Sequence, residues 1–116
     1  MLSLPPAVRI FVARGAVDLR KSFDSLAALV REVLRQDPLT GHLFVFLNRR
    51  RDRIKVLYWD RAGFCLFYKR LEEGCFAAVD ADEISVRELM CVLEGIDISR
   101  TRTRKWYRDP KQACVS

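Results

Sequence analysis

The chain has 116 residues, half of them hydrophobic, with 21 Lys and Arg against 15 Asp and Glu, a formal net charge of +6 and one His. That length supports one domain, spanning 1–116, around one modest core, and the cation excess points to an anionic partner, for which nucleic acid is the commonest choice in a small basic domain. No run approaches the ~20 apolar residues that span a bilayer, and the start, MLSLPPAVRIFVA, has neither a charged leader nor a long apolar segment, so a cytoplasmic protein without a membrane partner is expected.

After the Pro5-Pro6 break, Val8 to Ala13 reads as a short first strand, and Arg14 to Lys21 as a loop. Ser22 is placed to cap a helix whose stripe of Phe23, Leu26, Ala27, Leu29, Val30, Val33 and Leu34 continues to about Gln36, where Asp37-Pro38 stops it. From His42 to Leu71 three apolar runs follow, each alternating with the period of two that a pleated strand requires. Leu43, Val45 and Leu47 oppose Phe44 and Phe46; Ile54, Val56 and Tyr58 oppose Lys55, Leu57 and Trp59; Phe64, Leu66 and Tyr68 oppose Cys65, Phe67 and Lys69. Asn48 to Asp52 and Asp60 to Gly63 supply the turn residues between them, so the stretch reads as a β-meander. Beyond it, Glu72-Glu73-Gly74 makes a turn, Cys75 to Val79 reads as a further strand, and Ser85 caps a helix from Val86 to Leu93 closed by Gly95. The expected fold is α+β: a mainly antiparallel sheet of four or five strands, a β-meander at its core, with two helices packed on one face.

The string FLNRRRDRIKVLYWDRAGFCLFYKRLEEGCF, Phe46 to Phe76, resembles the central signature of the TnpB-type accessory proteins encoded by the bacterial insertion sequences of the family numbered sixty-six. LRKSFDSLAALV, Leu19 to Val30, and the stretch from Leu89 to Tyr107 match the same family, so the resemblance covers nearly the whole chain. It implies a role in DNA transposition beside a separate, larger transposase, and it carries no catalytic residues over.

The residues themselves point to DNA. Arg49, Arg50, Arg51, Arg53 and Lys55 crowd the first meander turn with only Asp52 to offset them, and Arg61, Lys69 and Arg70 continue the series. Adjacent guanidinium forks suit phosphate oxygens, whereas solubility alone is served equally by mixed Lys and Glu; the competing reading is a solvated hairpin tip that keeps sheets from pairing edge to edge. Tyr58 and Trp59 point to opposite faces of one strand, so at least one packs in the core and only the other is left to stack on bases. In the basic segment 99–108, Arg100, Arg102 and Arg104 alternate with hydroxyls before Lys105, Trp106 and Tyr107. An extended chain there places the arginines on one side, as an arm along a phosphate backbone or as a last strand with its aromatics docked on the core. Between these basic parts, Glu72 to Asp97 holds Glu72, Glu73, Asp80, Asp82, Glu83, Glu88, Glu94 and Asp97 against Arg87 alone, a segment fit to orient the basic face toward DNA or to dock a basic transposase.

Catalytic chemistry finds little support. Cys65, Cys75, Cys91 and Cys114 contain no C-x-x-C pair and His42 stands alone, so neither zinc nor another cofactor is expected. Asp52 and Asp60 sit in turns among arginines, Ser22, Ser25 and Ser85 have helix or cap roles with no histidine to activate them, and there is no glycine-rich phosphate loop. A non-catalytic accessory protein that binds the ends of its insertion sequence and assists the transposase is the expected function; the alternative is an adaptor that recruits the transposase without touching DNA.

Overall fold

In the computed structural model, residues 7–95 are described, which leaves the basic segment 99–108 outside the described residues. Five strands and two helices follow in the order β1 (Ile10–Val12), α1 (Phe23–Glu32), β2 (Leu43–Leu47), β3 (Arg53–Asp60), β4 (Gly63–Arg70), β5 (Glu83–Ile84) and α2 (Val86–Glu94). They form one sheet in the spatial order β4-β3-β2-β1-β5. The meander is antiparallel, with Val45 opposite Val56 and Val56 opposite Phe67. β1 joins β2 in parallel, Ile10 beside Leu43, and α1 makes the crossover between them that a parallel pair requires.

The α+β class stands, but the helices do not share a face. Ile10, Val12, Leu43, Val45, Leu47, Ile54 and Val56 pack with Leu89, Val92 and Leu93 of α2, while Phe11, Phe44, Phe46 and Leu57 pack with Leu26, Ala27 and Val30 of α1. These two sets alternate along every strand, so α1 and α2 cover opposite sides of the sheet. The cause lies in β2, LFVFL, which is buried at all five positions: a central strand apolar on both faces needs a cover on both.

Two further expectations are corrected. Cys75 to Val79 forms no strand; the segment crosses below the sheet with Phe76 fully buried and its N–H bonded to the Arg51 carbonyl at 2.6 Å. The fifth strand is instead Glu83–Ile84, two residues paired with β1. α1 also ends before Gln36: Arg35 takes a φ of +56°, and the Gln36 N–H turns back to the Val30 carbonyl at 3.1 Å.

Two lysines are built into this framework. Lys55, on the α1 face, is 7% exposed and donates through Nζ to the Lys21 carbonyl at 2.8 Å. Lys69, on the α2 face, donates to the Leu93 carbonyl at 2.7 Å, placing a positive charge on the last turn of α2, where the helix dipole is negative and no basic residue of the helix itself stands.

Local capping differs between the helices. Ser85 forms a capping box with Glu88, whose backbone N–H donates to the serine hydroxyl at 3.0 Å while its carboxylate accepts from the Ser85 N–H at 2.9 Å. Ser22 occupies the N-cap position of α1 without a side-chain cap bond. Ser85→Ala is therefore expected to cost about 1 kcal/mol in urea unfolding and Ser22→Ala only a few tenths; equal losses would contradict the assignment. Lys55→Ala strips the Lys21 carbonyl of its donor and is expected to cost roughly 1–3 kcal/mol, whereas Arg50→Ala at the exposed turn should stay within about 0.5 kcal/mol in the same assay.

Candidate nucleic-acid interface

The β3–β4 hairpin sorts the arginines by its two ends. At one end the Asn48–Asp52 turn carries Arg49 and Arg50, both exposed, and Arg53 stands directly opposite Arg70 in the ladder. At the other end Arg61 occupies the tight turn between Asp60 and Gly63, held at a φ of +55°. Seven residue steps of strand separate the ends by roughly 23 Å, so Arg61 and the Arg49 turn are two locations and not one cluster.

The turn is built to hold its arginines outward. Asn48 donates through Nδ2 to Asp52 at 2.7 Å and accepts the Arg53 N–H through Oδ1 at 3.1 Å, closing the loop from inside. Asp52, the single acid in the run, is thus engaged with Asn48. Its carbonyl takes the Leu71 N–H at 2.8 Å, tying the turn to the chain that leaves β4. Arg51 differs from its neighbours: at a φ of +57° it turns inward and donates through its guanidinium to the Phe76 carbonyl at 3.3 Å. Arg49, Arg50 and Arg53 have no ion pair among the described residues, and Arg70 pairs with Glu72 at 3.1 Å on the surface.

The same end gathers cations that the sequence did not single out. The Val17 N–H bonds to the Leu47 carbonyl at 2.9 Å, and the Lys21 carbonyl holds Lys55, so the loop before α1 lies against this end of the sheet. It presents Lys21 and Arg20, both exposed. Asp18 accepts from Arg20 at 2.8 Å, a hydrogen bond that holds its carboxyl well below the usual carboxylate range. The N-terminus of α1, with its positive dipole end, opens here as well. Lys55 and Lys69, by contrast, are committed to backbone carbonyls. The signal for this was present in the alternation itself, since a lysine in phase with Leu57 points its stem into a buried face.

Three acids of the acidic segment are paired with arginines of the first strand region. Arg9 makes a two-pronged contact with Glu83, at 2.7 and 2.9 Å, and that hydrogen bonding lowers the Glu83 carboxyl from its ordinary value. Arg14 bridges Asp80 and Asp82, and Glu88 is consumed by the cap of α2. Cys65 and Cys91 are free thiols, and among the described residues no group of three or more His, Cys, Asp or Glu is gathered to hold a metal ion. No helix among them is long and apolar enough to cross a membrane. Arg100, Arg102, Arg104 and Lys105 lie outside the described residues, as do Trp106, Tyr107 and Cys114.

Comparison with known proteins gives two relatives and a family. The chain is 44% identical over 101 residues to the uncharacterized protein y4hO of Sinorhizobium fredii, covering 84% of this chain and 88% of that protein. It is 34% identical over 117 residues to the uncharacterized protein y4jC of the same organism, covering 97% and 100%. No solved structure gives a significant match. The family model described as IS66 Orf2 like protein matches residues 8–103, and the chain belongs to that family of insertion-sequence accessory proteins.

Proposed function

We propose that this protein is a non-catalytic accessory factor of transposition that grips the DNA of its insertion sequence with the basic end of the sheet while a separate transposase performs the chemistry. The observation that carries the reading is the convergence of Arg49 and Arg50 on the Asn48–Asp52 turn with Arg53 at the start of β3, all exposed and without a carboxylate partner among the described residues. Elsewhere in the described chain Arg9 pairs with Glu83, Arg14 with Asp80 and Asp82, and Arg20 with Asp18, while Arg31, Arg35, Arg61 and Arg87, also without an ion pair, lie on other elements or turns. A turn whose forks are left open, braced from within by Asn48, is a preorganised phosphate contact.

The non-catalytic part is supported by where the carboxylates go. Asp52 serves Asn48, Glu88 serves the cap of α2, and Asp80, Asp82 and Glu83 serve Arg14 and Arg9, and no group of three or more His, Cys, Asp or Glu is gathered among the described residues for metal-assisted phosphoryl chemistry. The same pairing engages Asp80, Asp82 and Glu83 within the chain, so a basic transposase docking on this segment would meet chiefly Glu73 and Glu94, which are exposed. α2 ends at Gly95 near Lys69, on the end of the sheet that holds Arg49 and Arg50.

The test is a titration of the protein with a duplex carrying the terminal repeat of its element, across a range of salt. Three phosphate contacts should contribute about 2.7 units to the log-log salt slope. Replacing Arg49, Arg50 and Arg53 together with Ala should remove that share of the slope and most of the affinity at low salt, with the melting temperature retained, while Arg61→Ala at the far turn should leave both unchanged. Full affinity in the triple variant would refute the assignment of this turn.

A further inference from the structure

Two aromatic side chains are exposed among the described residues, Tyr68 at 49% and Phe23 at 41%, and both are at the corner where α1 begins beside the basic end of the sheet. Tyr68 lies on the α1 face of β4, directly opposite Lys55 in the ladder. One side of its ring rests against the Lys55 ammonium, 4.8 Å from the ring centre, and its hydroxyl accepts from Arg53 at 3.4 Å. Lys55 in turn is fixed by the Lys21 carbonyl, two residues before Phe23 in the chain. The ring is therefore held from beneath and from its edge, while half its surface faces solvent.

We infer that this corner is a stacking site for an unpaired nucleobase, with Tyr68 as the platform, so that the protein binds single-stranded DNA, or the frayed end of a duplex, more tightly than intact duplex. The inference rests on the DNA-binding reading above and adds the form of DNA that is bound. An exposed, immobilised aromatic among phosphate-binding cations is the arrangement by which single strands are held: the cations follow the backbone and each ring takes the face of one base. Immobilising the ring in advance lowers the ordering cost of that contact. The buried ammonium below it has a second consequence. It cannot reach a phosphate, and it acts on the bound base only by fixing and polarising the ring between them. Bases within a duplex present no free face to such a platform, whereas an end opened for strand joining does.

Fluorescence anisotropy with a labelled single strand, the matching duplex, the duplex with a short single-stranded overhang, and RNA of the same sequence tests this on the full chain. The single strand and the overhang should bind more tightly than the blunt duplex at equal salt. Tyr68→Ala should lose roughly tenfold on the single strand with an unchanged salt slope and an unchanged affinity for duplex; Tyr68→Phe, which keeps the ring, should stay within about twofold. Melting curves confirm that both variants are folded, as expected for a half-exposed side chain. Single-strand affinity unaltered in Tyr68→Ala, in a protein whose Arg49, Arg50 and Arg53 variant loses binding, would overturn the stacking site and leave the DNA reading intact. Failure of the unaltered protein to bind any DNA would remove both, and tighter binding to the RNA strand would overturn DNA as the ligand.

Discussion

Burial of β2 on both faces is the constraint from which the rest of the molecule follows. Leu43, Val45 and Leu47 need one cover and Phe44 and Phe46 another, so one helix must cross each side of the sheet. α1 does so inside the parallel β1–β2 unit, and α2 from beyond β5. With both broad faces occupied over the centre of the sheet, its edges at β4 and β5 and the ends of the strands are left uncovered. The arginines of the meander turn are at one of those ends, and their position is set by the same register that buries the core.

Charge in this small protein is divided between construction and display. Lys55 and Lys69 each satisfy a backbone carbonyl at the margin of a helix, and Arg9 and Arg14 fasten the acidic stretch around β5 to the first strand region. Exposed ion pairs of this kind contribute little individually to stability; their effect is to offset part of the negative charge of that edge. Arg49, Arg50 and Arg53 are displayed, since the loop beneath them obtains its hydrogen bonds from Asn48 and Asp52 and asks nothing of their side chains. The ion pairs of Arg9, Arg14 and Arg20 thus leave Arg49, Arg50 and Arg53 as a group of neighbouring cations without a carboxylate partner among the described residues.

The meander was legible in the sequence because its strands are neighbours along the chain, and alternation plus turn residues places Leu43–Leu47 and both hairpin turns without knowledge of anything distant. The capping box at Ser85 and the left-handed Gly95 are local chemistry and were equally readable. What was not readable depends on distant partners. β5 is two residues whose strand character comes only from lying beside Ile10 and Phe11, some seventy residues earlier, while Cys75 to Val79 has a strand-like composition but no free ladder to join. The end of α1 rests on arginine, not glycine, in the left-handed region at residue 35, which composition does not announce. Among the site residues, spacing grouped Lys55, Lys69 and Arg61 with the Arg49 turn. Only the packing of two helices and the length of the hairpin separate them.

The central claim is that DNA meets this protein at the end of the sheet formed by the Asn48–Asp52 turn, the start of α1 and the last residues of β4. Amide chemical-shift mapping during titration with DNA from the element's own terminus tests it most directly, because each backbone N–H reports its own surroundings. The account predicts salt-sensitive shifts concentrated at Arg20, Lys21, Arg49 to Arg53 and Tyr68 to Arg70, with the Arg61 turn and the Asp80–Ile84 edge undisturbed. Shifts centred on Arg61 or on the Asp80–Ile84 edge, or no shifts at DNA concentrations that saturate binding in solution, would contradict it.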